Sequence, residues 1–306
     1  MKLTKKELQI IRILSKEEKN IKELASLISS PKSYVSNIIK ALAEKGFVSF
    51  KKRGLAKFIS ISEAKHAVLL KRIMIENEYM KFENILSGQV LEIISFFPGR
   101  RKEILKNSGV SQMTLQAVLK NISQYGIIKK ENSLYKITDK TIKEFVSEFR
   151  KYENQKIAEK FSKDSIILWQ KNKEFLIKAY KTKEEDNFLL TGLSTFHKYG
   201  ISLTLLDFNY FFYSPYKKKL KKEDAILHSL ALYPFDAKTI LFNMLLWFKN
   251  KKKIDINYIL RESEKYELEE TINGLMDYFK TKGKKRLKYF PKYEEFEIKA
   301  RDYGLL

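Results

Sequence analysis

Two stretches of the chain place apolar and polar side chains in the same order, at an offset of 80 positions. Residues 35–48 (VSNIIKALAEKGFV) align without gaps on residues 115–128 (LQAVLKNISQYGII). In both stretches apolar residues recur three and four positions apart, which is the spacing of one face of an α-helix. Each stretch contains a glycine just after the last apolar turn, Gly46 or Gly126, where a helix commonly closes in the left-handed conformation. The pattern predicts the same helix twice.

A pair of short strands is predicted after each of these helices. In the first copy, residues 51–54 predict a polar turn and residues 57–60 the second strand. In the second copy, residues 131–133 predict the turn and residues 134–138 the second strand. This order, in which a helix is followed by a glycine, a strand, a turn and a second strand, is that of a recognition helix with its wing.

Two further helices are predicted before the first of these. Thr4 and Glu7 form a capping box, in which each side chain accepts a hydrogen bond from the other's backbone. An apolar stripe follows, and residues 21–28 carry a second one. Ser30 is predicted as N-cap of the third helix and Pro31 as its first residue.

The second copy shows the same order. Residues 90–97 and 101–106 predict its first two helices, and Ser111 is the expected N-cap of the third. Residues 63–80 join the copies and carry enough apolar side chains, Tyr79 among them, to predict a helix that packs on a module or on a second subunit. After the second wing, residues 138–161 predict one long helix.

The repeated pattern resembles the winged helix-turn-helix domains of bacterial and archaeal regulators. The resemblance implies winged helix-turn-helix domains at 1–80 and 81–163. Because residues 164–306 mix predicted helices and strands, we expect an α+β, mainly helical protein with a mixed α/β domain there. The resemblance further implies sequence-specific binding of double-stranded DNA, by a homodimer if two half-sites are read. Winged helices also serve as protein–protein modules. The chemistry of the outward-facing side chains therefore distinguishes DNA binding from protein binding.

The side chains expected to face DNA lie on the outer side of the predicted recognition helices, in the wings, or at the start of a second helix. They are Lys32, Ser33, Tyr34, Ser36, Asn37, Lys40, Lys51, Lys52, Arg53 and Lys57 in the first copy, and Arg100, Arg101, Gln112, Thr114, Gln116, Lys120, Asn121, Lys129 and Lys130 in the second. Amide side chains pair with adenine in the major groove, and cations contact phosphates. Glu131 in the second wing predicts weaker binding there. The alternative is a merely solvated polar face.

The net charge of the chain also favours an interaction with DNA. The net charge is +23, from 60 basic and 37 acidic residues. Residues 1–150 hold 29 basic against 15 acidic residues, and residues 151–306 hold 31 against 22. An excess of this size indicates an anionic partner, nucleic acid first and an anionic membrane surface second. A lysine-rich proteome would also raise the charge, but it would not favour the half that carries the repeats.

Several classes of site are excluded or disfavoured. The chain has no cysteine, so disulfides, thiolate metal sites and cysteine nucleophiles are excluded. His66, His197 and His228 are scattered, and neither a metal nor a cofactor is expected. The longest apolar stretch, residues 226–248, is interrupted by Pro234, and the N-terminus has no apolar signal core. These patterns predict a cytoplasmic protein without a membrane partner.

The C-terminal half mixes predicted helices and strands. Residues 191–201 (TGLSTFHKYGI), 208–215 (FNYFFYSP) and 221–230 (KKEDAILHSL), with a helix pair after them, resemble in order the C-terminal domain of AbiEi-type antitoxins. Tyr199 departs from that pattern, because the family has histidine before the glycine. The resemblance implies a repressor of its own promoter that counteracts a toxin partner. A second winged helix departs from the usual plan of that family and makes a pure regulator equally plausible.

An enzyme is the remaining alternative, as a nucleotidyltransferase or a DNA-processing or replication accessory protein. Nucleotidyl transfer needs a Gly-Ser start and two carboxylates two residues apart, which hold divalent metals. The nearest match splits Gly192 from Ser194 and offers Asp207 with Asn209, so the second carboxylate is missing. We therefore expect no catalytic residues.

Overall fold

The computed structural model describes residues 1–54, 56–203 and 207–306, without the side chains of Arg53 and Ala56. The chain forms two compact units, Met1–Asn154 and Gln155–Leu306. The predicted fold class is confirmed, because helices dominate and the sheets are small and antiparallel.

The first repeat folds as three helices and a two-stranded hairpin. Its elements are α1 (Lys5–Lys16), α2 (Ile21–Leu27), α3 (Lys32–Glu44), β1 (Val48–Arg53) and β2 (Ala56–Ile61), followed by α4 (Lys65–Glu76) and α5 (Phe82–Ile85). The capping box of Thr4 and Glu7 is present at the start of α1. Strands β1 and β2 pair from Val48–Ile61 to Arg53–Ala56. The strands therefore extend through Lys51 and Lys52, which the sequence had placed in a turn.

The second repeat folds in the same order with one additional strand. Its elements are α6 (Val90–Ile94), β3 (Gly99–Arg100), α7 (Arg101–Ser108), α8 (Gln112–Gln124), β4 (Ile128–Glu131), β5 (Leu134–Ile137) and α9 (Lys140–Phe161). Strand β3 pairs with β5, so the sheet order is β3-β5-β4. The first repeat has a counterpart of β3 in the isolated bridge between Lys19 and Ile59.

Both predicted helix-closing glycines adopt the left-handed conformation, with φ of +73° at Gly46 and +68° at Gly126. In each repeat a hydroxyl after the hairpin donates to the carbonyl of this glycine, Ser62 in the first and Thr138 in the second. The recognition helix and its wing are thus joined in the same way twice.

The two repeats share one hydrophobic core. Phe47 of the first repeat packs against Phe145 and Phe149 of α9, with ring centroids 6.4 and 4.9 Å apart. The buried Arg150 guanidinium donates to the Glu92 carboxylate at 2.9 Å. Because the repeats share this core, the contacts do not divide them at residue 80, and the boundary predicted there between the two winged helix-turn-helix domains stays a prediction.

Helix α4 packs on the first repeat through its buried face, which includes Ala67, Leu70 and Ile73. Tyr79 follows this helix and is fully exposed, so it does not pack on the module. The alternative of packing on a second subunit stays a prediction.

The second unit combines a four-stranded antiparallel sheet with helices. Its elements are β6 (Ile166–Lys171), β7 (Glu174–Ala179), β8 (Phe188–Leu190), a 3-10 helix (Gly192–Tyr199), β9 (Asn209–Tyr213), α10 (Lys222–Leu232), α11 (Ala237–Asn250), a 3-10 turn (Lys251–Lys253), α12 (Ile256–Tyr266), α13 (Glu269–Lys280) and α14 (Tyr293–Asp302). The sheet order is β6-β7-β9-β8. The sequence indicated β9, α10 and the pair α12–α13, but it gave no indication of the hairpin β6–β7.

Candidate nucleic-acid interface

Helix α3 separates its two faces cleanly. Val35, Ile38, Ile39 and Leu42 are buried in the core. Every predicted DNA-facing residue of this helix lies outside that face and is exposed, apart from the half-buried Ser36: Lys32, Ser33, Tyr34, Asn37 and Lys40. The arrangement presents hydroxyls, an amide and two ammonium groups on one side of one helix. Such groups can donate to base edges and phosphates in a major groove.

The start of α3 differs from the sequence prediction. Pro31 occupies the N-cap position without a side-chain hydrogen bond. Ser30 lies one residue earlier, and its hydroxyl donates to the Ile28 carbonyl at 3.1 Å, so its predicted role as N-cap was wrong. The first-turn N–H groups of α3 are therefore not capped by a side chain, and a phosphate oxygen is a suitable acceptor for them.

The first wing carries exposed cations. Lys51, Lys52 and Lys57 are exposed, and Lys57 Nζ lies 3.8 Å from the centroid of the Phe50 ring. Lys51 Nζ lies 3.8 Å from a carboxylate oxygen of Glu18, a long and weak contact. The Arg53 side chain lies outside the described part of the chain. The described wing cations remain available for contact with phosphates.

Helix α8 has the same buried and exposed faces as α3, and its N-terminus is capped by a side chain. The Ser111 hydroxyl accepts from the Thr114 backbone N–H at 3.1 Å, as predicted. Leu115, Leu119 and Ile122 are buried in the core. The predicted residues Gln112, Gln116 and Lys120 are exposed, whereas Thr114 and Asn121 are half-buried. The Asn121 amide donates to the Asn84 carbonyl at 3.5 Å. Asn121 is thus the least available of the predicted base-reading amides.

Two exposed apolar residues of α8 were missed by the sequence analysis. Met113 is 83% exposed, and Ala117 is also exposed. Both were passed over because polar side chains were sought. The gapless repeat alignment would have found them, since they occupy the positions of Ser33 and Asn37.

The second wing contains an acid that pairs with two of its lysines. Glu131 accepts from Lys129 at 2.6 Å and from Lys136 at 2.8 Å. These two ammonium groups lower the pKa of Glu131 to about 2. Lys130 remains outside this cluster, with its ammonium 5.9 Å from the Tyr135 ring centroid. The second wing therefore offers fewer available positive charges than the first.

A cleft of about 360 Å³ lies beside this wing, at the start of α7. It is lined by Arg100, Arg101, Lys102, Glu103, Lys130, Ser133 and Tyr135. The Arg101 guanidinium also donates to the Gln116 side chain of α8 at 3.5 Å. The structure thus brings Arg100, Arg101 and Lys130 to one cleft and links it to the recognition helix.

The C-terminal unit contains buried polar contacts around His228. His228 is fully buried, with Nδ1 2.6 Å from the Thr191 hydroxyl and Nε2 2.7 Å from the Tyr266 hydroxyl. Burial lowers the pKa of His228 to about 3, so the ring is neutral at ordinary pH. Asp207, the nearest match to a metal-binding carboxylate, is exposed. Within residues 1–54, 56–203 and 207–306, no group of three or more His, Asp or Glu side chains is placed to hold a metal ion.

The comparison with protein families fits the first repeat. Residues 3–53 match the MarR family. The matched segment contains α1, α2, α3 and β1, which are the helix-turn-helix and the first strand of its wing. The match supports a winged helix-turn-helix transcription regulator that binds DNA.

The C-terminal half matches a different family. Residues 185–305 match HVO_2833_C, a family described only as a C-terminal domain. Neither match is to the AbiEi family. No curated protein and no solved structure gives a significant match. In the described part of the chain, no helix is both long and apolar enough to cross a membrane.

Proposed function

We propose that the protein is a transcription repressor that binds a specific double-stranded DNA site through α3, α8 and the first wing. The observation that carries this proposal is the outward face of α3. Its exposed hydroxyl, amide and ammonium groups stand over a buried apolar face, in the segment that matches the MarR family. The combination of hydroxyl, amide and ammonium groups beside a basic wing favours DNA over a protein partner, because these groups match base edges and phosphates.

The first repeat provides the stronger anchor in this proposal. Its described wing lysines have no short ion pair to a carboxylate, whereas Glu131 binds two lysines of the second repeat. Phosphate contacts set affinity and orientation, and base contacts set sequence preference. We therefore assign most of the electrostatic affinity to the first wing and sequence reading to both helices.

Repression is tested with a reporter gene placed behind the promoter that precedes the protein's own coding sequence. Wild-type protein should lower expression, because a bound regulator blocks access to the promoter. A variant carrying Asn37→Ala and Lys52→Ala should not lower it. Equal repression by both proteins, or activation by the wild type, would contradict the proposal.

We also propose that the chain forms a homodimer. Val68 and Ile75 on the outer side of α4 are 49% and 53% exposed, on either side of the exposed Arg72, and a second copy would cover these apolar side chains. Light scattering of the full chain tests this. A monomeric mass at micromolar concentration would contradict the homodimer.

For the C-terminal unit we propose binding of a regulatory partner or ligand and not catalysis. A toxin partner would follow from the AbiEi resemblance, but the family match over residues 185–305 does not add to it. The test is metal-dependent transfer of labelled nucleotides by the full chain. We expect none. Transfer that Asp207→Asn removes would establish the nucleotidyltransferase alternative.

A further inference from the structure

The most outward position of the second recognition helix is occupied by an apolar side chain. A helix turns by 100° per residue, so positions 113 and 117 lie opposite to the buried Leu115, Leu119 and Ile122. Met113 is 83% exposed there. An exposed methionine gains nothing from the fold, because its apolar surface remains in water.

The surroundings of Met113 indicate what covers it. Gln112 and Gln116 are exposed nearby on the same helix, and Lys120 lies two turns further along that side. Arg101 contacts Gln116 from α7. An apolar side chain among cations and amides fits a surface that is polyanionic at its edges and carries apolar groups within. The major groove of DNA is such a surface, because thymine presents its C5-methyl group there between the phosphate backbones.

We propose that Met113, with Ala117 one turn later, reads thymine through contact with the C5-methyl group. The inference rests on the proposed DNA-binding function and adds a specificity-determining residue to it. In the first repeat the corresponding positions hold Ser33 and Asn37. The two recognition helices thus read different base features, hydrogen-bonding edges in the first and methyl groups in the second.

The test removes the methyl group from the DNA. A duplex that the full chain selects from a random pool is prepared in two forms, one with thymine and one with 2′-deoxyuridine throughout. Each is titrated with wild-type protein and with Met113→Ala. The wild type should bind the deoxyuridine duplex about three- to tenfold more weakly, since one or two buried methyl contacts are lost. Met113→Ala should bind the thymine duplex more weakly by a similar factor, and deoxyuridine should cost it less than it costs the wild type, because only the Ala117 contact remains to be lost.

The design separates the methyl contact from other effects of the modified duplex. Changes in DNA shape affect both proteins equally and cancel in the comparison of the two factors. Gln112→Ala is the matched control on the adjacent exposed position, and it should keep the full wild-type penalty. An equal deoxyuridine penalty for the wild type and Met113→Ala would overturn the inference while leaving DNA binding intact. Failure of the wild type to bind any duplex would instead remove the proposed function, and this inference with it.

Discussion

The two repeats have the same scaffold and different outward surfaces. Leu115, Leu119 and Ile122 repeat the buried pattern of Val35, Ile39 and Leu42, and both helices close at a left-handed glycine. The outward positions, in contrast, change from hydroxyl and amide to methionine and alanine. The wings also differ, because Glu131 binds the lysines of the second. Positions that determine the fold and positions that face outward are therefore separate sets, and one scaffold can present two different outward surfaces.

The largest effect should come from removing the first wing's charges. Lys52→Ala combined with Arg53→Ala should weaken binding to all duplexes by roughly tenfold to a hundredfold and make the salt slope less steep by about two units. Lys129→Ala with Lys130→Ala is the matched change in the second wing. It should cost clearly less, because Glu131 already binds Lys129. Anisotropy titrations over a salt series measure both, and equal losses would break the comparison.

The next effect concerns base reading. Asn37→Ala should cost roughly 1–3 kcal/mol on the selected duplex and almost nothing on random DNA, because an amide that pairs with a base edge carries sequence information. Asn121→Ala is the control, since that side chain donates to Asn84 and is half-buried. The measurement is competition between selected and random duplexes. If Asn37→Ala weakened binding to the selected and random duplexes equally, Asn37 would contact a phosphate instead of a base edge.

A gain of affinity is expected from the second wing. Glu131→Gln removes the negative charge that holds Lys129 and Lys136, and both ammonium groups then become available to phosphates. Binding should strengthen by roughly two- to fivefold at low salt, and the gain should shrink as salt rises. Unchanged affinity would mean that the second wing does not approach DNA.

The smallest effect is a pH dependence of stability in the first unit. Burial lowers the pKa of His66, whose Nε2 lies 2.9 Å from the Lys45 carbonyl oxygen. As pH falls below the ordinary value of about 6.5, the unfolded chain binds a proton that the folded ring resists, so stability decreases. The melting temperature of the wild type should therefore fall more steeply between pH 7 and 5 than that of His66→Gln. Parallel curves would contradict the lowered pKa.

The sequence predicted best where apolar periodicity is strong. Both recognition helices, their glycines and the long helix α9 follow from spacing alone. Local polar residues were less reliable guides. Lys51 and Lys52 look like a turn, but cross-strand pairing with Phe58 and Lys57 extends the hairpin through them. Ser30 has the chemistry of an N-cap, yet the helix begins two residues later, after Pro31.

Tertiary contacts account for what the sequence did not indicate. Residues 166–169 of strand β6 are all apolar, so they lack the alternation of apolar and polar residues that indicates a half-buried strand. The strand exposes Ile166 and Leu168, and its pairing register is irregular at residues 167–169. Met113 was missed for a different reason. Candidate residues were chosen for their polarity, although the position of Met113, opposite to the buried face of α8, shows that it points outward. A search for functional residues by polarity alone will miss such positions.

Binding of the full chain to duplex DNA over a salt series tests the central claim most directly. If α3, α8 and the first wing together contact about six to eight phosphates, the plot of log affinity against log salt should have a slope of about −5 to −7. The selected duplex and a random duplex should show similar slopes, with tighter binding to the selected one. A slope near zero, or no binding at low salt, would contradict the assignment of these surfaces to DNA.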